Sequence, residues 1–201
     1  MAGRKTFEKY KEPGYKFLTP SGKVELKSTV IEKLAEETGV PFDPLPHFEY
    51  PGLSVEKHPE WEGVYPLIMI TGARFLPFYH SEHRQPGPYR DLHPDPIFDI
   101  HPDTAISLDI RDGDWCWIET HKGRIKQRAR KTSIVDPRVI SVQHDWWFPE
   151  KEEAMPSLLG AFESNANVLL DDDPDTLDQL IGAWQQTGVA AKVYKCEEQD
   201  A

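Results

Sequence analysis

The sequence predicts a loop-rich, mainly β protein closed into a barrel or stacked as a sandwich. Three observations predict it. Eighteen prolines and thirteen glycines among 201 residues are too many for a helical bundle and supply turns throughout. Short apolar runs recur at about ten-residue spacing with turn residues between them, the rhythm of short strands in a barrel or sandwich. There is no internal repeat and no low-complexity stretch, so a repeat array does not account for that rhythm.

Taken in order, residues 1–27 read as a charged, partly extended lead-in. Thr29 and Glu32 form a capping box ahead of a short helix with Ile31, Leu34, Ala35 and Thr38 on one face, and Gly39 stands at its stop. Pro41, Pro44, Pro46, Pro51 and Pro59 keep the chain extended as far as Pro66, a strap rather than a domain. Leu67–Ile70 is the first unbroken apolar run and reads as a strand buried on both faces, ending at Thr71-Gly72. A polar, aromatic loop follows, with Arg74, Phe78, Tyr79, His80, Ser81, His83 and Arg84. Ile97–Ile100 is a second strand. Pro102 then opens a short helix that turns Ala105 and Leu108 inward and ends near Ile110. Asp112-Gly113-Asp114 turns the chain into a strand from Trp115 to Glu119, and Lys122-Gly123 turns it back along Arg124–Thr132. Val139–Val142 is a further strand after the Asp136-Pro137 turn. The acidic last third carries a helix from Thr176 to Trp184 and a final strand, Ala191–Tyr194. The expected organisation is therefore a lead-in, helix and strap over 1–64, a barrel over 65–196 and a tail over 197–201.

Composition narrows the function. The formal charge is −11, with 23 basic against 34 acidic residues, so a nucleic-acid partner, which calls for a dominant positive field, is not expected. No apolar run approaches the roughly 20 residues that cross a bilayer, so no membrane contact is expected. The opening MAGRKTFEKYKEPGYK has no apolar core of a signal peptide, and the compartment stays open. Cys116 and Cys196 are the only cysteines. Two thiols eighty positions apart make neither an iron–sulfur site, a four-thiolate zinc site nor a CxxC dithiol.

Several groups could carry chemistry. His80 and His83 form an HxxH, with His93, His101 or His144 as a possible third ligand, but the chain reads YHSEHR where the zinc-protease pattern needs HExxH. No metal-ligand set is expected. Lys122, Arg124, Lys126, Arg128 and Arg130 share one face of a strand; they are a polyanion contact or a solvated outer face, and the net charge favours the second. Trp146 and Trp147 point to opposite faces if the strand continues, one into the core and one over a ligand. By the same alternation His144 and Asp145 face apart and form no dyad. Ser164-Asn165-Ala166-Asn167 is a turn or a set of amides for a heterocycle edge or ribose. There is no GxSxG, GxGxxG or Walker loop. Nothing here is a self-contained catalytic site.

The ordered set of segments is more specific than any one of them. Thr19-Pro20-Ser21-Gly22-Lys23-Val24-Glu25 is followed by Tyr65-Pro66-Leu67-Ile68, Thr71-Gly72-Ala73-Arg74 and Tyr79-His80-Ser81-Glu82-His83-Arg84. Then come His101-Pro102-Asp103-Thr104-Ala105, Ile110-Arg111-Asp112-Gly113-Asp114-Trp115, His144 to Trp147, Asn165-Ala166-Asn167 and Lys192-Val193-Tyr194. Over about residues 13 to 196 the chain resembles the C-terminal dinucleotide-binding domain of molybdopterin oxidoreductases of the dimethyl sulfoxide reductase family.

That resemblance implies a double-psi β-barrel of the aspartate-decarboxylase-like type, with short flanking helices and the extended N-terminal strap. It implies a domain that clamps and orients a bis-molybdopterin guanine dinucleotide cofactor carrying molybdenum. Chemistry at the metal then resides with N-terminal catalytic domains or a catalytic subunit, the partners of this chain. By the same resemblance Thr71, Gly72 and Arg74 meet the phosphate or pterin side, and His80, Ser81 and Arg84 extend that contact. Trp147, Asn165, Asn167 and Lys192 line the other edge. Asp145 departs from the glycine that family members commonly carry there. On its own the chain is expected to fold, to hold no cofactor and to be catalytically silent. Two other readings use the same residues: a small metal-dependent hydrolase built on His80, His83 and His144, and a non-catalytic barrel that binds a protein through its basic strand.

Overall fold

The computed structural model describes residues 5–72, 74–84, 87–178 and 180–197. They form two compact units, one ending at Glu49 and one beginning at Tyr50. The first unit contains a tight 3-10 segment, Lys5–Lys11, and helix α1, Thr29–Thr38. The capping box does not form. Ser28, one residue earlier, accepts the Ile31 N–H at 3.3 Å, while Glu32 pairs with Lys27 and Thr29 donates to Glu25. Gly39 ends the helix in the left-handed region at φ +70°, where its N–H reaches the carbonyl of Ala35.

In the second unit six strands close a barrel: β1 (Leu67–Ile70), β2 (Ile97–Ile100), β3 (Trp115–Thr120), β4 (Gly123–Lys131), β5 (Val139–Val142) and β6 (Thr187–Lys195). Helices α2 (Gly87–Leu92), α3 (Pro102–Ser107) and α4 (Ala161–Ser164) are short. Around the barrel the order is β1-β5-β2-β4-β3-β6. β1 with β5 and β2 with β4 are parallel pairs, and the other neighbours are antiparallel. This is a mainly β closed barrel, one of the two architectures that strand spacing predicts, and it is consistent with the double-psi type that the family resemblance implies. Alternation fills the interior: Met69, Phe98, Ile100, Cys116, Ile118, Ile125, Ile140, Val142, Val189 and Ala191 are fully buried.

Four local expectations are corrected. β1 is not buried on both faces: Leu67 and Met69 point inward, but Ile68 is 41% exposed, because the wall of a closed barrel has one packed side. Ala105 of α3 is buried, yet Leu108 lies at the helix end and is 37% exposed, and Ile110 fills the inward place. Among the described residues no helix runs from Thr176 to Trp184. A 3-10 turn covers Pro174–Thr176, and the Asp178 carboxylate then accepts the N–H groups of Leu180 and Ile181, both at 2.9 Å. Those side-chain bonds compete with a helical ladder, and Gly182 at φ +65° closes the turn. The final strand is longer than Ala191–Tyr194 because Gly188, at φ +79°, forms a bulge where the β1–β6 register slips. A Cβ at Gly188 would lie 2.7 Å from Cγ of Pro51.

The basic residues of β4 lie on the outer face. Arg128 pairs with Asp95 at 2.7 Å, and Arg130 holds the buried Asp99 through two bonds of 2.6 and 3.0 Å. Arg124 and Arg128 also stack over Trp117 and Trp115 at 4.1 and 4.8 Å. One polar side chain crosses the interior. Gln127, fully buried, donates to the carbonyls of Gln143 and Ser164 at 2.8 Å each and accepts the Gln143 N–H at 3.2 Å. Gln143 in turn accepts from Ile97 N and His93 Nε2 at 3.1 and 3.0 Å. These bonds fix the chain just beyond β5.

Candidate functional site

Because β1 and β5 are parallel, they release the chain at the same end of the barrel, Thr71-Gly72 from one and Gln143-His144-Asp145 from the other. The residues just before the antiparallel β6 come to the same end, where the Thr71 hydroxyl donates to the carbonyl of Gln186 at 2.8 Å. A cleft of about 310 Å³ opens there, lined by Thr71, Gly72, Arg74, His80, His144, Asp145, Asn167 and Gln186. Gly72 leaves open space: a Cβ at that position would meet nothing within 4 Å.

Two sharp bends shape the cleft. His80 and His83 (φ +52° and +68°) and Asp145 (φ +58°) all occupy the left-handed region, which His and Asp tolerate better than most residues. At Asp145 the strand alternation is broken. The carboxylate therefore swings back beside its own neighbour, with Oδ2 at 3.4 Å from Nε2 of His144. Nδ1 of His80 lies 3.0 Å from the same Nε2 and 3.6 Å from the same Oδ2. The expectation that His144 and Asp145 face apart is thus overturned, because it assumed a continuing strand.

Arg84 ties the two bends together. It is 1% exposed, and its guanidinium donates to the carbonyls of His80, Asp145 and His144 at 2.9, 3.1 and 3.4 Å. It is stacked over Phe78 and Trp146 at 4.4 and 4.3 Å. Burial pulls its pKa down to about 10, against the attraction of Asp145, so it stays a cation at neutral pH. Burial also lowers the pKa of His144; Asp145 opposes that shift, while His80, Arg84 and Arg74 add to it. The Asp145 carboxylate is held in place by Asn167, whose amide donates to Oδ1 at 3.0 Å.

Five of the residues singled out from the sequence line the cleft: Thr71, Gly72, Arg74, His80 and Asn167. Asn165 stands directly behind them and accepts the N–H groups of Asp145 and Asn167 at 3.2 and 3.0 Å. Trp146 is fully buried, while Trp147 stays half-exposed and donates to the carbonyl of Ser81 at 3.0 Å. Arg84 is buried behind the cleft wall rather than on it. Lys192 is not brought to the cleft. It pairs with Glu119 at 2.9 Å on the barrel wall, next to the residue that faces Leu67, the far end of β1. His83 is not brought in either: it points toward Glu82 and Tyr89, so the His80, His83, His144 trio of the hydrolase reading does not assemble. Asp145 and Gln186 were not among the selected site residues, and His144 was selected only as a ligand in the hydrolase reading. The glycine-to-aspartate departure at Asp145 was the signal that could have found two of them, since it marks a place where the backbone needs positive φ.

Residues 67–183 match the profile of the molydopterin dinucleotide binding domain family. The chain belongs to that family. Acetylene hydratase of Syntrophotalea acetylenica is 38% identical over 180 residues, which are 89% of this chain and 24% of the relative. Dopamine dehydroxylase of Eggerthella lenta is 34% identical over 197 residues, covering 94% of this chain and 18% of the relative. The solved structure of acetylene hydratase from Pelobacter acetylenicus matches at a TM-score of 0.78 and 38% identity, over 92% of this chain and 25% of that one. This dinucleotide-binding domain therefore spans about a quarter or less of the length of these relatives. The matched segment contains both bends and every cleft residue except Gln186, and Lys192 lies outside it.

Proposed function

We propose that this domain holds molybdopterin guanine dinucleotide, as part of a bis-dinucleotide molybdenum centre, and closes over it within a larger oxidoreductase. Its partners are the N-terminal catalytic domains or subunit that hold the metal. The observation that carries this reading is the cleft at the shared end of β1 and β5, lined within the family segment by a guanidinium, two imidazoles and an amide beside one carboxylate, Asp145. Such a donor set fits phosphate oxygens and pterin carbonyls. Arg74, braced over the Tyr79 ring at 4.8 Å, and His80 would meet the phosphate or pterin side. The bare backbone at Gly72 allows close approach. Asn167, Asn165 and the exposed edge of Trp147 would form the opposite edge. When bound, the cofactor supplies two-electron or oxygen-atom chemistry at its metal, and the residues here orient it and set its electrostatic surroundings. Burial pushes the Cys116 thiol up to about 12, so that side chain stays protonated at neutral pH.

Cofactor retention in the full-length enzyme tests this reading. Arg74→Ala removes a charge-assisted contact and should weaken retention about 10- to 100-fold. Lys126→Ala, on the outer wall of the barrel, should change it by less than about 5-fold. Equal loss in both variants would show that the cofactor lies on another face.

A further inference from the structure

We propose that His80, His144 and Asp145 form a binding site for a transition-metal cation of borderline softness, Zn2+ or Co2+, on the wall of the cleft. Among the described residues they are the one group of three metal-ligating side chains whose donor atoms converge. The three separations join the same three atoms: 3.0 Å between the two imidazole nitrogens, and 3.4 and 3.6 Å from each to the carboxylate oxygen. A triangle with those sides has a circumradius of about 1.9 Å. An ion with Zn–N and Zn–O bonds of about 2.0–2.1 Å therefore sits roughly 0.7 Å out of the ligand plane, the height a tetrahedral site requires. The fourth position opens to the cleft that all three residues line.

The surroundings hold these ligands in place before an ion arrives. One buried guanidinium, Arg84, donates to the backbone carbonyls of all three ligand residues. Asn167 fixes the carboxylate through its other oxygen, Oδ1, leaving Oδ2 for the metal. Binding needs both facing nitrogens bare, so the proton in the His80–His144 hydrogen bond moves to the far nitrogen of its own ring. Arg74 and Arg84 add positive charge beside the ion, so the open position suits an anionic oxygen. The HxxH pair is not the ligand set. The carboxylate comes from Asp145, which the positive φ at that bend turns back beside His144. It shares His80 and Asn167 with the cofactor reading, and its test uses the 201-residue chain without cofactor so that the two can fail separately.

The test is calorimetric titration of that chain with Zn2+, together with the visible absorption of the Co2+ form. One ion per chain and a four-coordinate Co2+ spectrum are expected. Asp145→Gly keeps the positive φ that the bend needs and should weaken Zn2+ binding about 10- to 100-fold. His80→Ala should do the same, while His83→Ala should leave affinity within about 2-fold. The proposal is overturned if the chain takes up no Zn2+ at about 0.1 mM, if Asp145→Gly binds as tightly as the parent, or if His83→Ala abolishes binding.

Discussion

Replacing Arg84 by methionine should destabilise the barrel unit by about 3–5 kcal/mol, the scale of three buried carbonyls losing their donor group. The side chain is 1% exposed and serves three carbonyls, two of them at 2.9 and 3.1 Å. Each buried acceptor left without a donor costs about 1–3 kcal/mol. The lost stacking over Phe78 and Trp146 adds roughly 0.5–2 kcal/mol per ring. Against these stands the desolvation of the guanidinium, which methionine does not incur, so the net falls below the gross sum. At roughly 2–4 °C per kcal/mol for a domain of this size, the melting point should drop by about 10 °C. Arg84→Lys keeps the charge but neither the planar fork nor its stacking, and should recover less than half of the loss. Urea unfolding followed by tryptophan fluorescence measures both variants, with Trp146 directly under the guanidinium as reporter. A loss below about 1 kcal/mol in Arg84→Met, with an unchanged slope, would refute the view that this cation joins the two bends.

Two other outcomes are expected. Burial holds the pKa of His93 and His121 below the ordinary histidine range, and for His93 the nearby Arg84, Arg130 and Arg90 add to it. Both bind fewer protons folded than unfolded, so their stabilisation is complete above about pH 6.5 and is lost as pH falls toward their depressed values. Urea melts at pH 7.5 and 5.5 should show the decline, and a more stable protein at the lower pH would contradict it. Gly188→Ala places a Cβ at a φ of +79° and 2.7 Å from Pro51. It should cost roughly 1–3 kcal/mol, seen as a lower melting point, and an unchanged melting point would mean that the bulge is not under this constraint.

The barrel was largely legible because its strands are separated by strong punctuation. Ile97–Ile100 and Val139–Val142 fall where apolar runs meet turn residues, and both form as read. The helix expected over Thr176–Trp184 failed because Asp178 offers the backbone a local alternative that a periodicity count does not weigh. In the site, Arg74, His80 and Asn167 were visible through their chemistry and order. Arg84 was visible as a residue but not as a buried one, since only the packed structure puts it between Phe78 and Trp146 with Nε and Nη2 committed to main-chain carbonyls. The convergence of His144 and Asp145 was hidden by a single dihedral angle. Strand alternation separates them, and one left-handed residue reverses that.

The side-chain amide of Gln127 has a consequence beyond holding the interior together. It offers a donor and an acceptor to the main chain of Gln143, as a peptide group of a neighbouring strand would. The chain leaving β5 has therefore already had its polar groups answered when it departs from the ladder. It is free to change direction at Asp145 without stranding a buried N–H or carbonyl. A regular sheet can end in an irregular, chemically equipped bend at that point because one glutamine stands in for the missing strand. Gln127→Leu, though similar in size, would leave the N–H and carbonyl of Gln143 and the carbonyl of Ser164 unmatched at once, and the cost would fall on the bend that carries the cleft.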